Sequence, residues 1–479
     1  MRPKIALGIW AGIPVMLLVL ATLDALKPAD IPGLPQAPIA TLWALPLDLF
    51  LRDLAMALTL GFLLVGGLLA NSPSPRMLQL ASLFAGAWWF LLVLQIPLTV
   101  SEVLALPLAG SLNPTIVESL LSQTTLGQVI VIQLALVGAV ALLAWTTRGR
   151  IPLVIVGLIA ASAAFMPGFS GHSAMSGGHT SATVSLGLHL VVVGMWVGGV
   201  VALAALASVD PGKADVAIRR FSACALVCVI ILAETGLLSA SLRMDSLAEL
   251  VTSQYGAIVL AKSLVLVILI GFGWKHRQLL RALAAGSAPP NSAAYFLRLI
   301  GFEVAWMSVA IGLAVALSRT SPPGEIPGDV VAPGVLVLLG VALPAWAVMW
   351  LGERATRFTR FLPDYPEAVA VGALALTAVA ALAMPELGLL ALLGCVVVTG
   401  AGWCAIAIAA RSRSITAIAI LMVGWPILIW WSLRGTPLES TSGTWVVVLL
   451  AEGLLVLLAM SLRPTRRTRA SVIVEDVAV

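Results

Sequence analysis

Hydrophobic residues in this chain come in long unbroken runs, separated by short polar or Pro/Gly-rich connections. The pattern has neither the two-residue alternation of a half-buried strand nor the single apolar stripe of a surface helix. Fourteen runs reach spanning length, at roughly 5–23, 48–70, 77–99, 125–145, 151–168, 181–207, 218–240, 253–273, 298–318, 333–351, 367–383, 387–410, 415–432 and 443–462. A run of about 20 apolar residues matches the hydrocarbon thickness of a bilayer. In lipid only helices or closed barrels satisfy their own backbone groups, and unbroken runs exclude the alternation of a barrel. The expected fold is therefore all-α, a polytopic membrane bundle of about 14 transmembrane helices.

Composition agrees with this. Of the residues 60% are hydrophobic and 10% charged, with a mean hydropathy of +1.07, whereas soluble domains carry about 25% charged residues. The net charge of +5 does not point to nucleic acid, because basic residues in such a chain mark cytoplasmic connections. With the N-terminus cytoplasmic, 21 of the 27 Lys and Arg residues fall on the cytoplasmic side, and both termini lie there. The first run follows Arg2 and Lys4, has spanning length and lacks a small-residue cleavage site, so it reads as an uncleaved first helix. Cys224, Cys228, Cys395 and Cys404 sit inside apolar runs, and no disulfide framework is expected.

The longest outer connection, about 24–47, is a proline-rich link. The loop at 321–334, rich in Pro and Gly, divides the chain; no histidine follows it. Three parts are expected: N-terminal helices over 1–167, a central chemistry-bearing part over 168–320, and a C-terminal extension of about five helices over 321–479.

Chemistry concentrates between Phe165 and Val200, which holds three of the four histidines. On the expected topology the loop 168–180 is external. It carries His172, Met175 and His179 among glycines that let the backbone fold them onto one ion. Thioether selects Cu(I) and imidazole accepts either oxidation state, so this donor set suits copper better than a hard ion or structural zinc. The alternative is a set of solvated loop residues. His189 lies about 12 Å down the sixth helix at 1.5 Å per residue, on one face with Trp196, and Met195 lies about two turns deeper. An intramembrane histidine marks a functional site, unless it merely bonds between packed helices.

Three further ionisable groups fall within apolar runs. Glu234 and Lys262 lie at similar depths and are expected to pair, as a gate or as a structural lock. Glu303 lies in the inner part of the ninth helix. Cys224 and Cys228, four apart, are either exit-side thiolate ligands or small buried apolar residues. Arg52–Asp53 reads as an interfacial pair at the start of the second helix.

These residues resemble the membrane domain of the copper resistance D (CopD) family over about a third of the chain. The matching elements are Gly171–His172; His189 with Met195, Trp196, Val197, Gly198 and Gly199; Arg220–Phe221–Ser222; Thr235–Gly236; Tyr255–Gly256 before Lys262; and Arg298 with Glu303. The resemblance implies copper passage across the bacterial plasma (inner) membrane, usually inward from an extracytoplasmic copper carrier. No CopC-like β-sandwich is fused to this chain, so a carrier would be separate. Helices ten to fourteen stand where some relatives carry a CtaG-like half, associated with copper insertion into cytochrome oxidase. Here they hold no histidine and only Met349, Met384, Met422 and Met460, and read as a degenerate, structural or partner-binding extension.

The expected function is copper ion transport, in the direction of uptake. The outer ligands His172, Met175 and His179 would pass the ion to His189 and Met195, with Glu234, Lys262 and Glu303 as gating charges. No Walker A motif is present, which leaves an ion gradient, the membrane potential or a downstream sink as energy source. No nucleophile–base constellation suggests an enzyme. The rival readings are an assembly factor that hands copper to a cytochrome oxidase subunit, which needs the loop but not His189 or Lys262, and a membrane scaffold or transporter for a non-metal solute.

Overall fold

The structure, a computed structural model, describes residues 8–28, 35–147, 149–170, 179–241, 243–244, 248–284 and 292–323. These form ten helices of ten or more residues: α1 Gly12–Thr22, α2 Ile39–Phe62, α3 Pro75–Val103, α4 Pro114–Gln123, α5 Thr125–Thr146, α6 Arg150–Phe165, α7 His179–Val209, α8 Pro211–Ser241, α9 Gln254–Ala284 and α10 Ser292–Ser318. No strand occurs among the described residues. Eight of the helices are long and apolar enough to cross a bilayer. They coincide with the second to ninth hydrophobic runs, and the first run supplies the shorter apolar helix α1. The five runs beyond residue 333 lie outside the described residues.

The proline-rich link is shorter than expected. Helix α2 starts at Ile39 rather than near residue 48, behind an extended Pro38, and Pro46 sits inside it. A proline in the body of a helix removes one backbone hydrogen bond, a cost that surrounding helices offset in a membrane bundle. Nine residues expected in a loop are thus the first two and a half turns of a spanning helix. The connection after α3 also has structure. Asn113 caps α4 by accepting from Thr115 N–H at 3.0 Å, and Thr124 caps α5 by accepting from Gly127 N–H at 3.0 Å.

Helix α2 is the centre of the bundle, with 78% of its most apolar window buried, against 22% for the peripheral α9. It packs on α3, α7, α10 and α6. The approach to α7 is set by glycine: a Cβ on Gly61 would overlap the Gly198 backbone, and one on Gly198 would overlap the Ala57 carbonyl. Backbones this close gain dispersion that larger residues would prevent. Gly199, the next residue, faces the other way and receives the ring of Phe221 on α8. A second close approach joins α1 to α10, where Ser308 Oγ accepts from Gly12 N–H at 2.9 Å and donates to Ile9 O at 2.5 Å. Gly8 faces Gly301 and Ala305, and Gly312 faces Gly12 and Met16, so α1 and α10 run parallel.

Helix α2 ends in a wide π turn, Leu63–Leu69, where Gly66 lets Met77 Cβ press against the backbone. The carbonyls left free there are answered by side chains. Arg220 Nη1 donates to Leu69 O at 2.9 Å, Arg150 reaches Ala70 O at 3.3 Å and also Asn71 O, and Lys213 Nζ donates to Pro73 O at 3.4 Å. Unpaired carbonyls at a helix end attract cations. The same contacts show that α2 and α7 end at the same end of the bundle and run parallel.

Candidate functional site

The site is built where α7 and α8 lie side by side, antiparallel. Ser185 and His189, one turn apart on α7, face Ser239 and Thr235, one turn apart on α8. Ser185 Oγ donates to Thr235 O at 3.1 Å and lies 3.2 Å from Ser239 Oγ. His189 Nδ1 lies 2.8 Å from Thr235 Oγ1. Ser185 and Thr235 are fully buried and His189 is half-buried.

The Thr235 hydroxyl favours one imidazole tautomer. Its single proton is donated to Ile231 O at 2.7 Å. Toward His189 it therefore accepts, which requires the proton on Nδ1. The lone pair is then on Nε2, which makes no hydrogen bond among the described residues. A ring held through one nitrogen with the other left bare is the arrangement of a metal-ligating histidine.

The stripe of α8 that carries Ser239 and Thr235 continues to Cys228 and Cys224, seven and eleven residues before Thr235. Spacings of four, seven and four keep all four residues on one helix face. Both thiols are free, and they stand one turn apart on the helix. Counting along the antiparallel pair places Cys228 level with Trp196 of α7, about 10 Å from the level of His189. Trp196 is buried. The seam therefore offers, in order, hydroxyls, one bare imidazole nitrogen and a thiol pair.

The other expected residues fare differently. His172 and Met175 lie outside the described residues. His179 begins α7, and its side chain is not among those described. Met195 is half-buried against the apolar core. At six residues from His189 it stands about 9 Å further along α7 and a third of a turn off its face, so the helix does not bring the two together. Glu234 is on α8 next to Thr235, with its side chain outside the description. Lys262 is half-buried on α9 and forms no ion pair among the described residues, and its charge acts on both His189 and Arg243.

Glu303 has a partner that the sequence did not suggest. His276, toward the end of α9, places Nδ1 at 3.2 Å from Glu303 Oε2 on α10; Glu303 is buried and His276 14% exposed. The contact is not aligned as a hydrogen bond, and His276 Nε2 and Glu303 Oε2 are buried without one. The ring of Phe296 packs 5.0 Å from His276. His276 stands between Lys275 and Arg277, where it reads as one more basic residue of a connection. Its only sequence signal is that it ends an apolar run. Arg52 also differs from expectation. It lies well inside α2, donating to Asp53 Oδ1 through Nε (3.0 Å) and Nη2 (2.7 Å) and to Gln95 Oε1 through Nη1 (2.9 Å). Among the described residues no three His, Cys, Asp or Glu side chains converge.

Two family models match this chain. Residues 37–182 match the copper resistance protein D-like N-terminal domain, and residues 215–317 match copper resistance protein D. The first range runs from the start of α2 to the start of α7, and lies mostly before the third of the chain that carries the resemblance. The second includes Thr235, Lys262, His276 and Glu303. A curated relative, copper transport protein CutJ of Bacillus subtilis (strain 168), is 28% identical over 256 residues, covering 49% of this chain and 44% of the relative. The chain thus matches less than half the length of that protein. No solved structure matches the chain.

Proposed function

Since the chain belongs to the copper resistance protein D family, with its two domains over 37–182 and 215–317, we propose that it carries copper inward across the bacterial plasma membrane along the α7–α8 seam. The observation that carries this reading is the fixed His189 ring, with Nδ1–H on Thr235 and Nε2 bare at membrane depth. A ring fixed through Nδ1 leaves Nε2 as the nitrogen that could ligate a metal.

In this proposal His172, Met175 and His179 capture the ion outside. They hand it to His189, some 15 Å along α7 from His179, and Cys228 and Cys224 receive it on the inner half of the seam. Imidazole followed by thiols is a progression toward softer donors and favours Cu(I) on the inner side. Lys262 opposes a cation beside His189 unless a carboxylate answers it, and in this proposal Glu234, next to Thr235 in sequence, supplies that carboxylate. Sidedness follows the basic end, where Arg150, Lys213 and Arg220 gather round residues 69–73; that end would be cytoplasmic, with both termini on that side. A separate extracytoplasmic carrier would supply the ion.

The test is copper bound by purified protein under reducing conditions, followed by uptake into proteoliposomes. Near-stoichiometric copper is expected in wild type, with loss in His189→Ala and in the double variant His172→Ala/His179→Ala. Wild type that binds copper but does not move it would favour hand-off to an oxidase subunit. Absence of bound copper above background would overturn both.

A further inference from the structure

Helix α2 holds a carboxylate that the copper path does not use. Asp48 is 3% exposed, and neither Oδ1 nor Oδ2 has a hydrogen-bond partner. It lies nine residues from the start of α2, about 14 Å along the helix, in the half that begins at Ile39. The charges that act on it are Arg52 and Asp53 on its own helix. Arg52 directs three donors away from Asp48, two to Asp53 and one to Gln95. Several titratable groups of the other helices packed on α2 are engaged elsewhere. Glu102 of α3 pairs with Arg319 beyond α10, His189 of α7 holds Thr235, Glu303 of α10 faces His276, and Arg150 of α6 binds carbonyls at the opposite end of α2. Asp24, past α1, pairs with Lys27 in the open.

A carboxylate anion with both oxygens unanswered at this depth is costly, whereas the neutral acid largely avoids that cost. The surroundings also offer a proton route. Thr41 and Asp48, seven residues apart on α2, and Ser101, Thr99 and Gln95 on α3 are buried polar residues between two apolar helices. Thr41 Oγ1 and Ser101 Oγ lie 2.6 Å apart near the end of the bundle where α2 begins, and Ser101 Oγ lies 2.6 Å from Leu106 O. This polar seam runs from that end down to Arg52 and Asp48. Helix α2 stands between this seam and α7, which it touches on its opposite face at Ala57–Gly61 and Gly194–Gly198.

We propose that Asp48 is a proton-exchange site whose carboxyl proton is released to, and taken back from, the outer aqueous side through the α2–α3 seam as copper passes along α7–α8. The proposal rests on the copper-transport reading for its coupling, but not for the proton site itself. The step is a simple ionisation, Asp48 carboxylic acid giving carboxylate and a proton. The departing positive charge is replaced by the copper cation entering the α7–α8 seam on the far side of α2.

Two measurements on the full chain separate the parts. Dicyclohexylcarbodiimide, an apolar reagent for protonated carboxyls, is applied to purified protein in lipid and the adduct is located by peptide mass spectrometry. Labelling is expected at Asp48, increasing as pH falls, lost in Asp48→Asn, retained in Asp48→Glu, and absent at the ion-paired Asp53. No adduct at Asp48, or labelling independent of pH, overturns the proton site. Proteoliposomes loaded with a pH-sensitive dye then test the coupling. Copper-dependent proton movement is expected in wild type and lost in Asp48→Asn, while copper bound at the His189 site is retained. Unchanged proton movement in Asp48→Asn overturns the coupling. A wild type that is labelled at Asp48 yet moves no copper leaves the proton site standing and removes the transport reading.

Discussion

The bare nitrogen of His189 is a property of two residues, since Thr235 decides where the imidazole proton sits. Thr235→Val keeps the shape of the side chain and removes the acceptor. The Nδ1–H is then unanswered, and the ring is free to turn or to move its proton to Nε2. Loss of the group that orients a metal-ligating histidine costs about 10- to 100-fold in metal affinity. Thr235→Val is therefore expected to weaken Cu(I) binding by that factor, measured by competition with a chromophoric chelator, while Thr235→Ser stays near wild type. An unchanged affinity in the valine variant would mean that His189 does not bind copper through Nε2. Sequence reasoning reached His189 because an ionisable residue in an apolar run is conspicuous. Its dependence on Thr235 was not legible, since the partner is 46 residues away on another helix. Nor was the burial of Asp48, which lay at the edge of the expected helix next to an expected interfacial Arg–Asp pair. The nine residues by which α2 extends toward Ile39 turn that edge into bundle interior. His276 was hidden by its neighbours Lys275 and Arg277, whose charges read as loop chemistry, and only the packing of α9 on α10 brings it to Glu303.

At the scale of elements, the site depends on how closely α7 approaches α2 and α8 at once. Gly198 and Gly199, adjacent in sequence, point to opposite neighbours, one to the Ala57 carbonyl and the other to the Phe221 ring. A side chain at Gly198 meets backbone, which cannot turn away as a flexible side chain could. Gly198→Leu must push α7 off α2, and overpacking of this kind costs about 1–3 kcal/mol. A lower melting temperature in detergent is expected, together with weakened copper binding, because α7 carries His189. Gly271→Ala on α9 is the control. A Cβ there meets nothing within 4 Å, and alanine is the better helix former by about 1 kcal/mol. Stability should hold or rise slightly. Equal damage from both substitutions would show that glycine matters here for something other than close approach. The helices themselves were largely legible from hydropathy, since length and apolarity are all that spanning demands. The proline-containing first turns of α2 were not, because proline reads as a break in a lone helix and is tolerated only where neighbours surround it.

For the whole molecule, direction is the property on which the transport reading turns, and it can be tested without copper. The four natural cysteines lie in apolar runs, so an introduced surface thiol can be told apart from them by its reactivity. Ser122, at the end of α4, and Ser72, between α2 and α3, are both exposed and lie at opposite ends of the bundle. Ser72 belongs to the turn whose neighbouring carbonyls are bound by Arg150, Arg220 and Lys213, and a concentration of basic residues marks the cytoplasmic side. In intact cells a membrane-impermeant maleimide is expected to label Ser122→Cys and to reach Ser72→Cys only after permeabilisation. The same assay extends to the C-terminal extension through a thiol placed at Ser471, expected on the side of Ser72 if five further helices follow α10. The reverse pattern at 72 and 122 would place His179 and the start of the seam on the cytoplasmic face. The ordering of hydroxyls, imidazole and thiols would then describe an export path, with Asp48 exchanging its proton with the cytoplasm.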